Sequence, residues 1–441
     1  MPKESVPPDL LPPDADALIG GPLGRHASPR ERSVGRLLPF VVAMTVVPMG
    51  IAVLRQGHCI AHGWNGDEQF WRMCFSDLPA QYQLAGLAGG LTGWLDGSAL
   101  TEQMPLLSGL MALLGGMVPD GGWLVQTRVY FLLWAIVLAV CAAVTVRCVG
   151  LLRPRRLDLA TQLALSPIHV VATLLSPDLL VVTLVIAAML ARGRHRSATA
   201  GVVLGLALLG HAWVLVVGLA LLVSARRGGD LGGAVRTAVV AAATAAAGLL
   251  LVAVVQPHAI SGPLLTWWDS KPGYGSLLFI PELVGHPLPD RIAPIFSLIG
   301  WSWAIWAVII MAARAWRPAT WAQVAVFAVP LVALTSPSVP VQAALWVLPL
   351  AILAGVSWRT HLGFVVIEAG HAAALWLYIG FDSDPDKGLP PSWYAVAIIG
   401  RTIAWGLLMW SIWYTPVDNP PPNRPQPALP IKDRPQARAT T

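Results

Sequence analysis

The chain has 441 residues, of which 56% are hydrophobic and only 12% charged, with a mean hydropathy of +0.64. A soluble domain carries roughly a quarter charged residues, so this composition excludes a water-soluble enzyme and describes an integral membrane protein. The net charge of +6 is spread over the borders of apolar runs rather than clustered on one soluble face, which excludes a nucleic-acid-binding surface.

In chain order, residues 1–36 are polar, Pro-rich and basic toward their end (Arg25, Arg30, Arg32, Arg36) and read as a disordered cytoplasmic tail. The first apolar run begins near Leu37 and is followed by Arg55 and Gln56 rather than by a small-residue cleavage site, so it reads as a retained helix. A bilayer crossing needs about 20 apolar residues. Long runs occur near 37–54, 123–149, 235–255, 292–313, 340–357, 361–380 and 393–414. Three further stretches are interrupted or bounded by polar residues: 157–192 at Ser176-Pro177-Asp178, 198–224 at Gly210-His211, and 320–335, which ends at Ser336-Pro337. Reading the first two as pairs of short helices gives an all-α polytopic bundle of about twelve transmembrane helices over 37–414, followed by a second disordered tail, 415–441.

With the N-terminus in the cytoplasm, this count places Arg147, Arg153, Arg155, Arg156, Arg192, Arg194, Arg196, Arg226, Arg227, Arg236, Arg314, Arg317 and Arg359 inside, in accord with the positive-inside rule. The stretch 104–118 is then a dipping or surface-lying helix. Both termini fall in the cytoplasm. Residues 55–122, Asp178, His211, the 256–291 loop, Ser336–Pro340 and 381–392 all fall on the outer face. Polar, non-helical backbone at membrane depth survives where protein or a wet cavity satisfies it, so breaks gathered on one face point to a cavity opening there.

The stretch 55–122 concentrates the chemistry: Asp67, Glu68, Asp77, Asp96, Glu102, His58, His62, Cys59 and Cys74. Asp77, in CFSDLPAQY, is a carboxylate beside aromatic residues and a candidate base, but Ser76-Asp77 before Leu-Pro is equally a helix start. Glu102 is either a site acid or the first-turn acid of the following helix. His58 and His62 stand four apart without a third metal ligand. Cys59 and Cys74 share one external loop in an oxidising compartment, where a disulfide is expected. His211 interrupts an apolar stretch and Asp178 follows Ser-Pro; ionisable residues inside spans are functional candidates, although a helix-end role fits both. Residues 266–279, TWWDSKPGYGSLLF, offer Lys271 as a phosphate contact and Tyr274 among aromatics suited to a sugar ring. Tryptophan and tyrosine also gather at membrane interfaces for purely physical reasons.

The order of these segments resembles a known family. One helix precedes a loop reading C…W…CFSDLPAQY, then TEQMPLLSGLM, ALSPIHVVATLLSPDLL, AGVVLGLALLGHAWVL, GYGSLLF and SPSVPVQAALWVLPL. In that order, over roughly 37–414, the chain is similar to the actinobacterial polyprenyl-phosphate-mannose-dependent mannosyltransferases of glycosyltransferase family 87, of the GT-C class. The resemblance implies a GT-C-like bundle in the plasma membrane with 55–122 as the external catalytic loop. It implies inverting transfer of a sugar, mannose foremost, from a polyprenyl-phosphate donor to a cell-envelope glycolipid or glycan, without metal or other cofactor. Asp77 would be the general base; Gln342 and Trp346 would line the donor side. Two positions depart from the pattern: His211 stands where relatives often have Lys, and Glu-Gln-Met-Pro replaces Glu-Tyr-Pro, which shifts Glu102 by one place. A transporter or flippase of a lipid-linked or amphipathic substrate is the alternative reading.

Overall fold

The structure, a computed structural model, describes residues 34–314 and 318–414; the expected tails lie outside these, except that Val34, Gly35 and Arg36 already belong to the first helix. Among the described residues the fold is entirely helical. In chain order the helices are α1 (Val34–Ala43), α2 (Val46–Arg55), α3 (Gly57–His62), α4 (Glu68–Trp71), α5 (Asp77–Leu84), α6 (Gly90–Asp96), α7 (Pro105–Gly115), α8 (Trp123–Leu152), α9 (Leu157–Ala164), α10 (Ile168–Ala172), α11 (Asp178–Gly193), α12 (Ser197–Leu208), α13 (Val214–Gly228) and α14 (Leu231–Val255). They continue with α15 (His258–Trp268), α16 (Ile280–Leu283), α17 (Ile292–Arg314), α18 (Trp321–Leu334), α19 (Ala343–Leu353), α20 (Trp358–Phe381) and α21 (Pro391–Tyr414).

Six helical stretches are long and apolar enough to cross a membrane: α1–α2 taken together, α8, α14, most of α17, α20 and α21. This is a polytopic, helical membrane protein. Helix α21 shows the lipid-solvated pattern directly. Trp393, Val396, Ile399, Ile403, Leu407 and Trp410 face outward, whereas Tyr394, Ile398, Arg401, Trp405 and Leu408 are buried. An apolar face turned outward and a charge turned inward invert the arrangement of a water-soluble helix.

The other six expected crossings are short. The stretch 340–357 holds only α19, 11 residues, which at 1.5 Å per residue is about 16 Å long. Every residue of α19 is buried, and it packs against α8, α9, α10, α11 and α18 at the centre of the bundle. The stretch 157–192 is not the expected pair but three helices, α9, α10 and α11. The additional break falls at Ser166-Pro167, because the residue before proline is disfavoured in the helical region; the Ser166 hydroxyl accepts the Ile168 N–H at 3.4 Å there. Helix α7 has 11 residues and starts on Pro105, which needs no donor partner at that position.

Where the bundle is lipid-facing, small residues hold it. Helix α14 lies almost wholly exposed to the surroundings and packs on α12 through glycine. A Cβ built on Gly201 would meet the Thr237 carbonyl at 2.7 Å, and one on Gly205 would meet the Ala241 carbonyl at 2.7 Å. Helix backbones approach this closely in lipid only through such small residues.

The interrupted helices leave carbonyls that nothing in their own turn can satisfy, and a neighbouring loop supplies each donor. Asp77 N–H donates to Leu175 at 2.9 Å, the Ser76 hydroxyl to Leu174 at 2.7 Å, and Leu106 N–H to Leu209 at 3.0 Å. Gly273 N–H donates to Pro337, and Val339 N–H to Tyr274, both at 2.9 Å. Unpaired backbone groups in an apolar interior cost several kcal/mol each. The stretch between the first two long helices is therefore structural as well: it seats α5 and α7 on the breaks before α11 and after α12.

Candidate active site

The site is built on the turn at 173–178. Ser76 is the N-cap of α5, its hydroxyl accepting Leu78 N–H at 3.3 Å while donating to Leu174. Asp77 is therefore not the capping residue but the first residue of the helix, with its backbone held by Leu175 and its carboxylate free of the capping role. On the other side of the turn the Ser176 hydroxyl accepts Asp178 N–H at 3.4 Å, and Asp178 opens α11. Two carboxylates are thus brought to one place from distant parts of the sequence.

Their environments differ. Asp77 is partly accessible, but burial, with a smaller contribution from the negative charge of Asp178, raises its pKa to about 7. Asp178 is 4% exposed, and Trp346 of α19 donates its indole N–H to Oδ2 at 2.8 Å. Among the described residues neither aspartate has a cationic partner. A carboxylate with a pKa near neutrality, beside a second one fixed by a hydrogen bond, is poised to take up a proton at physiological pH.

Aromatic rings gather on the Asp178 side of the pair. Trp346 is stacked with Trp213 at a centroid distance of 5.7 Å and meets His211 edge-on at 4.5 Å. The His211 ring is turned back on its own loop, where Nδ1 accepts Trp213 N–H at 3.5 Å. The Trp213 indole N–H is buried without an acceptor among the described residues. The group Asp77–Asp178–Trp346–Trp213–His211 therefore presents one candidate base, one fixed carboxylate, two indole faces and one unused donor. Of these residues only Trp213 is not singled out by the sequence; its neighbour His211 is the feature that marks the break.

Other candidates lie elsewhere. Gln342 is half-buried and immediately precedes α19, one turn from Trp346. Glu102 is exposed in the turn before α7 and is not part of that helix. Lys271 is exposed and pairs with Asp290 at 3.2 Å. Tyr274 meets Phe279 and Tyr378 edge-on at 5.4 and 6.2 Å. No hydrogen bond, ion pair or ring contact joins these four to the aspartate pair among the described residues. His58 pairs with Glu68 at 3.0 Å, and His62 bonds the His58 carbonyl. Among the described residues no group of three His, Cys, Asp or Glu side chains is placed to hold a metal ion.

Cys59 and Cys74 form a disulfide with a Cα–Cα distance of 5.9 Å, tying α3 to the residues just before Ser76 and Asp77. A second polar centre is not anticipated by the segment reading, which treats 361–380 and 393–414 as plain apolar runs. Glu368 and Arg401, each 1% exposed, form an ion pair at 3.0 Å, with Trp405 donating to the same carboxylate. The Arg401 guanidinium also donates to the carbonyls of Val339 and of Pro340, the latter at 2.8 Å. It thereby holds the loop from which α19 carries Trp346 to Asp178. The signal was available in EAGH and GRTIAW, where ionisable residues sit inside apolar spans.

Compared with family models, curated proteins and solved structures, the chain matches none of them.

Proposed function

We propose that the protein is an integral-membrane inverting glycosyltransferase that moves a sugar, mannose foremost, from a polyprenyl-phosphate donor to a cell-envelope acceptor. The observation that carries this reading is the neutral-range carboxylate of Asp77, seated beside Asp178, which is itself held by the Trp346 indole stacked on Trp213. Asp77 removes the proton from the acceptor hydroxyl as its oxygen attacks the anomeric carbon. The bond from that carbon to the lipid phosphate breaks on the opposite face, its electron pair leaves with the phosphate, and the anomeric centre inverts. A phosphate is already a good leaving group, so one base and a phosphate contact suffice. The Trp346 and Trp213 faces suit a sugar ring, and the unpaired Trp213 N–H suits one of its hydroxyls. In this reading the six short helices complete a GT-C-like bundle of about twelve crossings. Both termini then lie in the cytoplasm and the aspartate pair opens to the outer face of the plasma membrane.

The test is transfer of radiolabelled mannose from polyprenyl-phosphate-mannose in membranes that contain the host's acceptor lipids, comparing the wild type with Asp77→Asn at equal expression. Transfer by the wild type and its loss in the variant are expected. Equal transfer by both would remove the base from Asp77.

A second reading is favoured by one observation, the two adjacent carboxylates at helix breaks, which is also how proton-coupled transporters are built. Proton-dependent uptake of a lipid-linked substrate into proteoliposomes, in the absence of any transfer, would select it.

A further inference from the structure

Helix α2 ends on Arg55. The Arg55 side chain makes no hydrogen bond or ion pair among the described residues, and its Nε and Nη2 are buried from solvent. The next residue, Gln56, is 0% exposed; its Oε1 accepts the Trp64 indole N–H at 3.1 Å, but its Nε2 is buried with no acceptor. Among the described residues, successive side chains thus leave three buried nitrogen donors unsatisfied, two of them on the charged guanidinium. The nearby acid in sequence, Glu68, is taken by His58.

The place of this cluster in the fold is defined by three links. Helix α1 packs against α9 and α2 against α10, so α2 and α10 run side by side. The turn after α10 carries the Leu174 and Leu175 carbonyls that hold Ser76 and Asp77. The Cys59–Cys74 disulfide then ties the helix that follows Arg55 to the residues that precede Asp77. Arg55 therefore ends its helix in the neighbourhood of the candidate base, on the same side of the bundle.

A guanidinium with two of its three nitrogens buried and no counter-charge among the described residues is destabilising, and buried donors without acceptors call for a bound partner. A neutral molecule could satisfy the N–H groups but not the charge. The planar fork of arginine matches the oxygens of a phosphate, and a carboxamide N–H adds a further donor. At the end of a membrane helix, the phosphate that arrives is one carried by a lipid.

We infer that Arg55, with the Gln56 carboxamide, binds a lipid-borne phosphate at the outer end of α2. That this phosphate is the one released from the sugar donor rests on the transferase reading above; the anion site itself does not. Neither Lys271, which is paired with Asp290, nor His211, whose Nδ1 is engaged by its own loop, is needed for it.

The experiment is a binding titration of the purified full-length protein in phosphatidylcholine nanodiscs with polyprenyl phosphate, uncharged polyprenol and phosphatidylglycerol. It compares the wild type, Arg55→Met and Arg55→Lys. Polyprenyl phosphate binds the wild type and polyprenol does not; Arg55→Met weakens binding at least about tenfold, and Arg55→Lys keeps part of it. Phosphatidylglycerol that competes assigns the site to phosphodiester headgroups in general; phosphatidylglycerol that does not assigns it to the monoester carrier. Without ligand, Arg55→Met melts at or above the wild-type temperature, because an uncompensated buried charge has been removed. Equal binding by Arg55→Met and wild type, no binding of any phosphate lipid, or a melting temperature of the ligand-free variant below that of the wild type would overturn the site. Arg55-dependent phosphate binding without any sugar transfer would leave the site standing and remove the transferase reading.

Discussion

Trp346 donates its indole N–H to Asp178 at 2.8 Å, a bond between residues 168 positions apart that joins the central short helix α19 to the start of α11. The Asp178 backbone N–H in turn donates to the Ser176 hydroxyl. Trp346→Phe preserves an aromatic face toward Trp213 and His211 but leaves the buried carboxylate without its donor. A hydrogen bond to a charged group contributes about 1.5–3 kcal/mol, and leaving the partner unsatisfied adds to the loss. Asp178→Asn keeps an amide oxygen for the same indole. Thermal unfolding in detergent is expected to place Trp346→Phe clearly below Asp178→Asn; the reverse order would mean that the bond contributes little.

The pKa of Asp77 gives two pH dependences of opposite kind. In the proposed role of base it would act only when ionised, so transfer should rise with pH through an apparent midpoint near 7. Asp178→Asn removes the neighbouring negative charge, which moves the midpoint down, but not to the ordinary carboxylate value, because burial is the larger cause and remains. For stability the sign is reversed. The folded state holds the Asp77 proton more tightly than the unfolded chain, so stability is highest below the unfolded value near 4 and falls as pH rises toward 7. The loss is at most about 4 kcal/mol. Asp77→Asn should therefore melt with the wild type at pH 4 and above it at pH 8. A pH-independent difference between the two would sink the assignment.

Much of this was legible in the residues. Apolar run lengths mark the six long helices, and Ser-Pro-Asp and Gly-His mark breaks at 176–178 and 210–211 that the structure also has. The disulfide follows from two cysteines sharing one loop. The boundary at Ser166-Pro167 was visible as a dipeptide but lies inside a run apolar enough to read as one helix. The aspartate pair is a tertiary fact: Asp77 and Asp178 meet because the start of α5 donates one backbone and one hydroxyl hydrogen bond to the Leu174–Leu175 turn, which no local pattern encodes. The Glu368–Arg401 pair is diluted within its runs by the tryptophans and leucines that face outward beside it.

The Cys59–Cys74 bridge closes a loop of sequence separation 15, for which the chain-entropy estimate is about 3 kcal/mol. Its removal acts on stability and also on the segment that positions Ser76 and Asp77. Cys59→Ser, Cys74→Ser and the double variant should lower the melting temperature equally, and reducing agent should bring the wild type to the same value while leaving the variants unchanged. Additive losses from the two single variants would show that each cysteine matters by itself rather than through the bond.

The Glu368–Arg401 pair is enclosed on every side, with Trp405 on the carboxylate and the Val339 and Pro340 carbonyls on the guanidinium. Removing one member of such a pair strands the other charge in an apolar interior, a loss of about 3–5 kcal/mol, whereas replacing both by apolar groups of similar volume is often neutral. Here the replacement is not symmetrical, because Arg401, unlike Glu368, also donates to the Val339 and Pro340 carbonyls, the second of which is shared with the Ala343 N–H. Arg401→Met should therefore be the more damaging single change: it strands Glu368 and frees the loop that leads into α19 and Trp346. Glu368→Leu strands only the guanidinium, which retains both carbonyls. In the double variant the charge penalty disappears but the loop is still released, so thermal stability should recover above Arg401→Met without regaining the wild-type value. Transfer activity should stay low in both variants that lack the arginine. Full recovery of stability and activity in the double variant would show that the pair is held only by its own charges and has no part in placing the loop.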